Sequence, residues 1–526
     1  MMQKKNIIIS AVIFVAIIIF LNLVSVSLFG RLDLSKGKIF ALSKSSKEAV
    51  RSLEDRLVVK AYFSKNLPGE YADTRRTVQD KLSEYQAYSH GKLRYEFIDP
   101  ADEEDLKAEA QKNQIFPASM RVVENDKFEV REVYMGLAFH YQGKSESIPL
   151  IQNTRGLEYD ITKTIKKITA AGLKKVAFFT TAEAPPQIPG YPQQNNDSYA
   201  TLKQTISESY ELSETKLMEE IPDGTEALIF AGIDDSLAVE QLYNLDQFLM
   251  KGGNILFFQD RVFADIQNQK ADPIKSNLFD LLESYGINIG VNLVTDANCG
   301  QVNIQRQQGF FRMNTPVNYP FLPIINDVNK DNMIVKNIDI MQMIFASEID
   351  TTRTNELNYE PLMRTSKNSS LVSFPQLDIG LEQYMNKNLK VMFLDGAKNV
   401  GGIFTGRFPS YFANNQEYPE AIQENPDGKV LFVSDSEFIK EGAGAGVPGN
   451  MEFLLNAVDF LASEEALIEI RSREVIYKPL KEISNGAKKA VRWLNILLPS
   501  FLLILFGILR YQKELRRRKF IGELYE

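Results

Sequence analysis

Histidine and cysteine are almost missing from this chain of 526 residues, which holds only His90, His140 and Cys299. A lone cysteine closes no intramolecular disulfide, so stability has to come from packing. Two histidines exclude a three-histidine zinc site, and both fall early in the chain, where a hairpin or helix-end role is the simpler reading. Cys299 could meet either of them as a nucleophile only across domains, and a buried structural thiol is the simpler reading. No Cys-x-x-Cys follows the first strand, where FSKNLPGEY stands, and that removes redox chemistry. GKS at Gly143 has Ala138 five positions earlier instead of the first glycine of a phosphate-binding loop, so any ATP must be hydrolysed by another polypeptide. GAGVPG, from Gly444 to Gly449, matches a dinucleotide fingerprint literally. SDSEFIKEGA, however, separates it from its strand, and a loop before an Asn450-capped helix explains it better.

Basic residues are outnumbered as well. Setting aside residues 1–30 and 491–526, the body carries 51 basic against 65 acidic residues. An acidic body argues against nucleic acid, which needs basic surface to displace counterions. The acids are too numerous to single out a catalytic pair. About 460 residues between the termini exceed a single core and suggest two or three domains.

Two long apolar runs stand at the ends. IIISAVIFVAIIIFLNLVSVSL, Ile7 to Leu28, follows Lys4 and Lys5, and its roughly 22 positions cover about 33 Å as a helix. A cleaved secretory signal is the competing reading, but the run exceeds a signal core. WLNILLPSFLLILFGIL, Trp493 to Leu509, lies between Arg492 and Arg510, with a buried core helix as its alternative. Six basic residues from Arg510 to Lys519 then mark a cytoplasmic side. The expected plan is a cytoplasmic N-terminus (1–6), a first span (7–29), two extracytoplasmic domains (31–172 and 173–470), a linker (471–490), a second span (491–510) and a basic cytoplasmic tail (511–526). The chain would thus sit in a bacterial inner membrane, N-in and C-in, with its bulk in the periplasm.

In the first domain a Ser43-capped helix precedes the strand 57–63, a helix over 74–89 with Val78, Leu82 and Tyr85 on one face, a strand ending at Asp99 and a helix over 103–112. Strands over 120–124 and 131–141, a hairpin at QGKSE with a third short strand, and a helix over 158–169 complete it. This βαβαββα order, with a proline before the third strand, is that of a thioredoxin-like domain without its cysteines. From Leu173 the texture changes. KKVAFFTT, EALIFAGI, NILFFQD and GKVLFVSD are short apolar runs separated by helical stretches, the pattern of parallel strands buried on both faces. In the clearest unit Asp234 to Ser236 cap a helix whose inner stripe is Leu242, Leu245, Phe248 and Leu249, and Gly252-Gly253 stop it. The expectation is a doubly wound α/β sheet. Two irregular stretches, 185–197 and 299–323, read as contact surfaces.

FALSKSSKEAVRSLEDRLVVKAYFS, LDQFLMKGGNILFF, TGRFPSYF, GKVLFVSDSEFI, NMEFLLNAVDFLA and IRSREVIYKPL resemble, in order and spacing, the blocks of the gliding-motility-associated ABC transporter auxiliary component, the GldG family. The resemblance covers nearly the whole chain. It implies a substrate-binding accessory subunit beside a separate permease and ATPase in the inner membrane, with envelope or motility proteins as further partners. It also implies that the doubly wound part is similar to amidotransferase-like (Rossmann-like) domains that have lost their catalytic residues. The Gly-His pair often found in members after that domain's first strand is replaced here by TTAEAP. No residue is expected to be catalytic, and no cofactor or metal is expected. A ligand would sit at the strand C-termini: Thr180, Thr181 and Glu183; Gly232 and Asp234; Asp260 and Arg261; Ser434 and Asp435. Two other readings compete, a structural tether between inner membrane and envelope machinery and a hydrolase or amidotransferase-like enzyme on the same sheet.

Overall fold

The computed structural model describes residues 41–474 except 66, 69–70, 102, 125–126, 155, 171, 182–196, 267, 309–310 and 355–356, together with the helix Asn485–Tyr525 and the isolated residues 13, 14 and 17. Residues up to Val475 form one compact unit and those from Ile476 another.

Alternation of apolar side chains builds the first sheet. In β1 (Leu57–Phe63), residues 57, 59, 61 and 63 face one side, where Val78, Leu82 and Tyr85 of α2 (Ala72–Tyr88) and Ile161, Ile165 and Ile168 of α4 (Leu157–Thr169) bury them. Tyr62 faces the other side and packs with Ala110 of α3 (Glu104–Lys112). β2 (Leu93–Ile98) pairs parallel with β1, and β5 (Met135–Tyr141) pairs antiparallel on its other edge, followed by β6 (Lys144–Ile148). The β5–β6 turn places Gln142 and Gly143 at positive φ, so GKS is a hairpin tip. The strand expected over 131–141 is broken. β3 (Ala118–Glu124) and β4 (Lys127–Val133) form a separate hairpin, because Tyr134 leaves the ladder to exchange hydrogen bonds with Ser64. Ahead of the sheet, Ser43 caps α1 (Lys44–Arg51) by accepting from the Ser46 N–H, as its sequence predicts.

The second sheet has eight strands. Its parallel part runs in the order β8 (Glu211–Thr215), β7 (Lys175–Phe179), β9 (Thr225–Ala231), β10 (Asn254–Phe258) and Glu424–Val433. Alternate residues enter two cores. Val176, Phe178, Ile229, Leu256 and Leu431 meet α5 (Ala200–Ser207) and the helix Pro448–Leu461, whereas Phe179, Phe230, Phe257 and Phe432 meet α6 (Val239–Met250) and α7 (Leu278–Tyr285). Each such buried side chain contributes roughly 1.5–3 kcal/mol. Both faces are covered, as the near-continuous apolar runs require. Three antiparallel strands, Asn399–Pro409, Asn358–Arg364 and Asp327–Val328, then extend the sheet beyond the expected parallel core.

Three local expectations change. The helix after β9 starts at Val239 with Ala238 as its cap, and the Gln241 side chain accepts the Ala238 N–H, so Asp234 to Ser236 remain in the loop. Pro448, not Asn450, opens the last helix of this sheet, because a proline at the first helical position forfeits no hydrogen bond. The Asn450 amide instead braces both backbone groups of Gln342. The stretch 299–323 is not irregular. Cys299–Gln308 pairs with Phe311–Ile325 as a long antiparallel hairpin, and Tyr319 and Phe321 sit in a small separate core with Phe345, Tyr384 and Phe393. Of the stretch 185–197, only Asp197 lies among the described residues.

The two sheets are joined by buried charge. Arg471, on the helix Glu465–Glu474, donates to the Tyr159 hydroxyl of α4 at 2.6 Å, to Asp459 at 2.9 Å and to Asn456, and its guanidinium lies 4.5 Å from the Tyr159 ring centroid. Lys166 and Lys174 share Glu464 at 2.6 and 3.3 Å.

Among the described residues no helix is long and apolar enough to cross a membrane. The first expected span falls outside them except for Ile13, Phe14 and Ile17. The second lies on the helix Asn485–Tyr525, where Trp493, Leu497, Phe501, Ile504 and Ile508 are exposed. Its apolar run of about 17 residues reaches only about 26 Å, against a hydrocarbon core of about 30 Å.

Candidate functional site

Strand order locates the site. The chain runs from β7 outward to β8 and then returns to the opposite side of β7 to lay down β9 and β10. Helices therefore depart in opposite directions from β7 and β9, and a crevice opens beyond their C-terminal ends. A cavity of about 440 Å³ occupies it, with Thr180 and Thr181 after β7, Gly232 and Asp234 after β9, and Asp260 after β10 in its wall. Ser436, Glu437 and Lys440 close it from the strand Glu424–Val433, and Tyr199, Phe263 and Phe345 supply aromatic surface.

The wall is braced from behind. Gln259, fully buried, accepts from the Ile233 N–H and donates to the Ile233 carbonyl, both at 2.9 Å, fixing the turn after β9. Gly232 sits at φ +53°, and a Cβ there would meet the Ser436 Cβ at 2.6 Å. Only glycine meets both demands. Phe345, a bulky residue, also holds a positive φ of 56°, with the adjacent Ile344 N–H donating to Asp435 at 2.6 Å. A left-handed aromatic is rare and is sustained by its surroundings.

The electrostatics are acidic. Asp260 accepts from the Ser436 N–H at 2.9 Å and from its hydroxyl, and Lys440 pairs with Glu437 at 2.7 Å. Burial is the main force pushing the Asp260 carboxyl up to about 7, and Glu437 and Asp234 add to it. Asp435, buried beside it, is pushed well above the ordinary range by burial and then by Asp260 itself, and one of its oxygens has no hydrogen-bond partner. The two acids titrate as a unit. The Tyr199 phenol is raised by burial first, then by Glu437, Asp260 and Asp234.

The nine residues expected at the strand ends divide into four groups. Thr180, Thr181, Gly232, Asp234 and Asp260 come together in the wall. Asp435 and Ser434 lie behind it, and the Ser434 hydroxyl donates to the Ser347 carbonyl at 2.6 Å. Arg261 turns away, donating to the Ile274 carbonyl at 2.6 Å with its guanidinium 3.9 Å from the Phe279 ring centroid. Glu183 lies outside the described residues. Sequence reasoning missed Tyr199, Phe263, Phe345, Ser436, Glu437 and Lys440. Ser436 and Glu437 directly follow a strand end already singled out, so one more turn of chain would have found them.

The rare nucleophile candidates lie elsewhere. Cys299 opens the long hairpin, and burial, helped by Asp296, pushes its thiol up to about 11. His140 is on β5 of the first sheet, held below its ordinary value by burial and then by Lys60. Among the described residues no group of acids, histidines and cysteine could hold a metal ion.

Comparison with known proteins adds the following. A family described as an ABC-type uncharacterized transport system matches residues 173–461, and a domain of unknown function, DUF7088, matches residues 36–140. An uncharacterized protein of Borreliella burgdorferi is 26% identical over 537 aligned positions, covering 98% of this chain and 99% of that protein. Among solved structures, the mmIFT52 N-terminal domain is similar over 55% of this chain and 97% of its own, with 14% identity and a TM-score of 0.32. A ThuA-like protein from Parabacteroides merdae is similar over 60% of this chain and 94% of its own, with 10% identity and a TM-score of 0.26.

Proposed function

The chain belongs to the ABC-type uncharacterized transport system family, and from that premise we propose that it is a non-catalytic, substrate-binding accessory subunit working beside a separate permease and ATPase. The match over 173–461, which takes in every wall residue of the cavity, is the observation that carries this reading. Chemistry at the site agrees with it. The wall offers hydroxyls, carboxylates and aromatic surface suited to holding a ligand, while Cys299 is not among the lining residues and burial pushes its thiol up to about 11. The finer reading is an accessory subunit of the gliding-motility-associated type, with a thioredoxin-like first domain and an amidotransferase-like second one. The β2–β1–β5–β6 order, with β1 and β2 parallel, supports the former.

The proposal extends to the membrane. Both ends of the body leave it side by side, since the Ser45 hydroxyl donates to Glu469 at 2.7 Å. Apolar runs placed just before one and just after the other favour two anchors in one bilayer, with the body on the periplasmic side. Anchoring both ends restricts translational freedom, so a weak contact with a permease is well populated. Purification in mild detergent tests the function. Co-elution with an ATP-hydrolysing subunit and a multi-span permease is expected, and envelope proteins without an ATPase would overturn it. Replacing Cys299, His90 and His140 by alanine is expected to leave that complex and its transport intact. Labelling of introduced thiols by an impermeant reagent tests the topology.

A further inference from the structure

The cavity wall is short of positive charge. Among the described residues Asp234, Asp260 and Glu437 contribute carboxylates and Lys440 the one ammonium, and that ammonium is taken by Glu437 at 2.7 Å. Asp260 is held only by the N–H and hydroxyl of Ser436, with no ion pair among the described residues, although it lines the cavity and is partly buried. Behind it stands a second acid, Asp435, fully buried and with one oxygen unpartnered. Two neighbouring carboxylates without a cation are costly to keep in a folded protein, and such arrangements concentrate at functional sites. A neutral ligand would leave that cost in place, and an anion would add to it. An ammonium or guanidinium group would relieve it. Tyr199, Phe263 and Phe345 contribute aromatic atoms to the lining, which also favour cations. About 440 Å³ falls in the range of small-molecule sites.

Resting on the reading of the chain as a substrate-binding subunit, we propose that this cavity takes a small organic cation, an amine or guanidine, held by Asp260 with Asp234 at the mouth. The proton is then the competitor of the ligand at Asp260. Because burial pushes that carboxyl up to about 7, it is mostly protonated at pH 6 and mostly free at pH 8. Apparent affinity should rise about tenfold between the two. Groups facing Asp260 from neighbouring elements are Asp234 after β9, Asp435 and Glu437 after the strand Glu424–Val433, Lys440 beyond them, and Tyr199 before α5.

Calorimetric titration of the full chain in detergent, at physiological salt, tests this with four probes of similar length: putrescine, agmatine, 1,4-butanediol and succinate. Binding by putrescine or agmatine is expected, about tenfold tighter at pH 8 than at pH 6, and at least tenfold weaker in Asp260→Asn, while the diol and the diacid should not bind. Binding of the diol or succinate as well as the amines, or of no amine at all, overturns the proposal. So does an unchanged amine affinity in folded Asp260→Asn. Should that variant fail to fold, exposed Asp234→Asn decides in the same way. A complex with permease and ATPase that persists while amines fail to bind removes only the ligand class, and amine binding without such a complex removes only the transporter reading.

Discussion

Arg471 is the residue on which the junction between the two sheets turns, and its replacement yields the sharpest prediction. Its guanidinium is nearly enclosed, and Asp459 is 1% exposed. Burial opposes the charge of Arg471, and Asp459 with Tyr159 overcomes that and raises its pKa. Burial also raises Asp459 in spite of Arg471. Desolvation is thus not fully recovered by the pair, the usual balance for buried ions. Arg471→Met should leave Asp459 buried with the Tyr210 hydroxyl, at 2.6 Å, as its remaining partner. Stranding one buried charge costs about 3–5 kcal/mol. Native-state hydrogen exchange along α4 is the proper assay, because a chain of two sheets need not unfold in one step. Amides of Leu157–Thr169 should exchange a few hundred to a few thousand times faster, at a factor of ten per 1.4 kcal/mol. Adding Asp459→Asn removes the stranded charge but keeps an oxygen for Tyr210, so the double variant should recover at least half of the loss. A single variant costing under about 1 kcal/mol, or a double variant worse than the single, would refute the reasoning.

The pair Asp260 and Asp435 sets a pH dependence. Burial holds both above the ordinary carboxyl value of about 3.9. The folded state thus keeps protons the unfolded chain has released; the stability this contributes is whole below about pH 4, Asp260's share is lost as pH rises through about 7, and Asp435, raised in the same direction, loses its share likewise as pH rises. The midpoint difference, Asp435→Asn minus the parent chain, should grow from pH 5 to pH 8 in thermal unfolding, and a flat difference would count against the pair. Gly232→Ala should lower stability by about 2 kcal/mol or more, through a strained φ and the contact with Ser436. Unchanged melting would show that the turn after β9 yields. Cys299, with its thiol pushed up to about 11, should react with a thiol reagent at pH 8 roughly two hundred times more slowly than free cysteine. A rate close to that of the free amino acid would mean the thiolate is stabilised after all.

Much of this architecture is written in the periodicity of the chain. β1, β7, β9 and β10 lie where their apolar runs stand, and five of the nine strand-end residues share one cavity, because a parallel strand buried on both faces has a recognisable texture and a polar end. Elements that failed to show themselves share a cause in proline and glycine. In the sequence of Phe311–Ile325, Phe311, Met313, Val317, Tyr319 and Phe321 alternate, but Pro316, Pro320 and Pro323 suggest a loop, although the segment is the middle strand between Cys299–Gln308 and Met341–Gln342. Asn399–Pro409 was hidden by Gly401 and Gly402, where a Cβ on Gly402 would enter the Tyr359 ring at 2.3 Å. The cavity's aromatic residues come from three separate connections, which no local pattern brings together.

Neighbouring residues of α4 hold the two ends of the body. Glu158 accepts from the Ser43 N–H at 2.6 Å and the Ser46 hydroxyl at 2.7 Å and pairs with Lys81 at 3.0 Å, while Tyr159 accepts from Arg471 at 2.6 Å. Successive helical residues point about 100° apart, so one helix can grip the entering segment with one side and the leaving segment with the other. The two grips should be separable. Glu158→Ala strands a buried N–H and the Lys81 ammonium, a loss of about 2–4 kcal/mol. It should speed hydrogen exchange in Lys44–Arg51 with little effect on Glu465–Glu474. Tyr159→Phe removes one charge-assisted bond, about 1.5–3 kcal/mol, and should do the reverse. If either change loosens both segments equally, the helix is no divided clamp, and the two ends are held by their mutual contact at Ser45 and Glu469 instead.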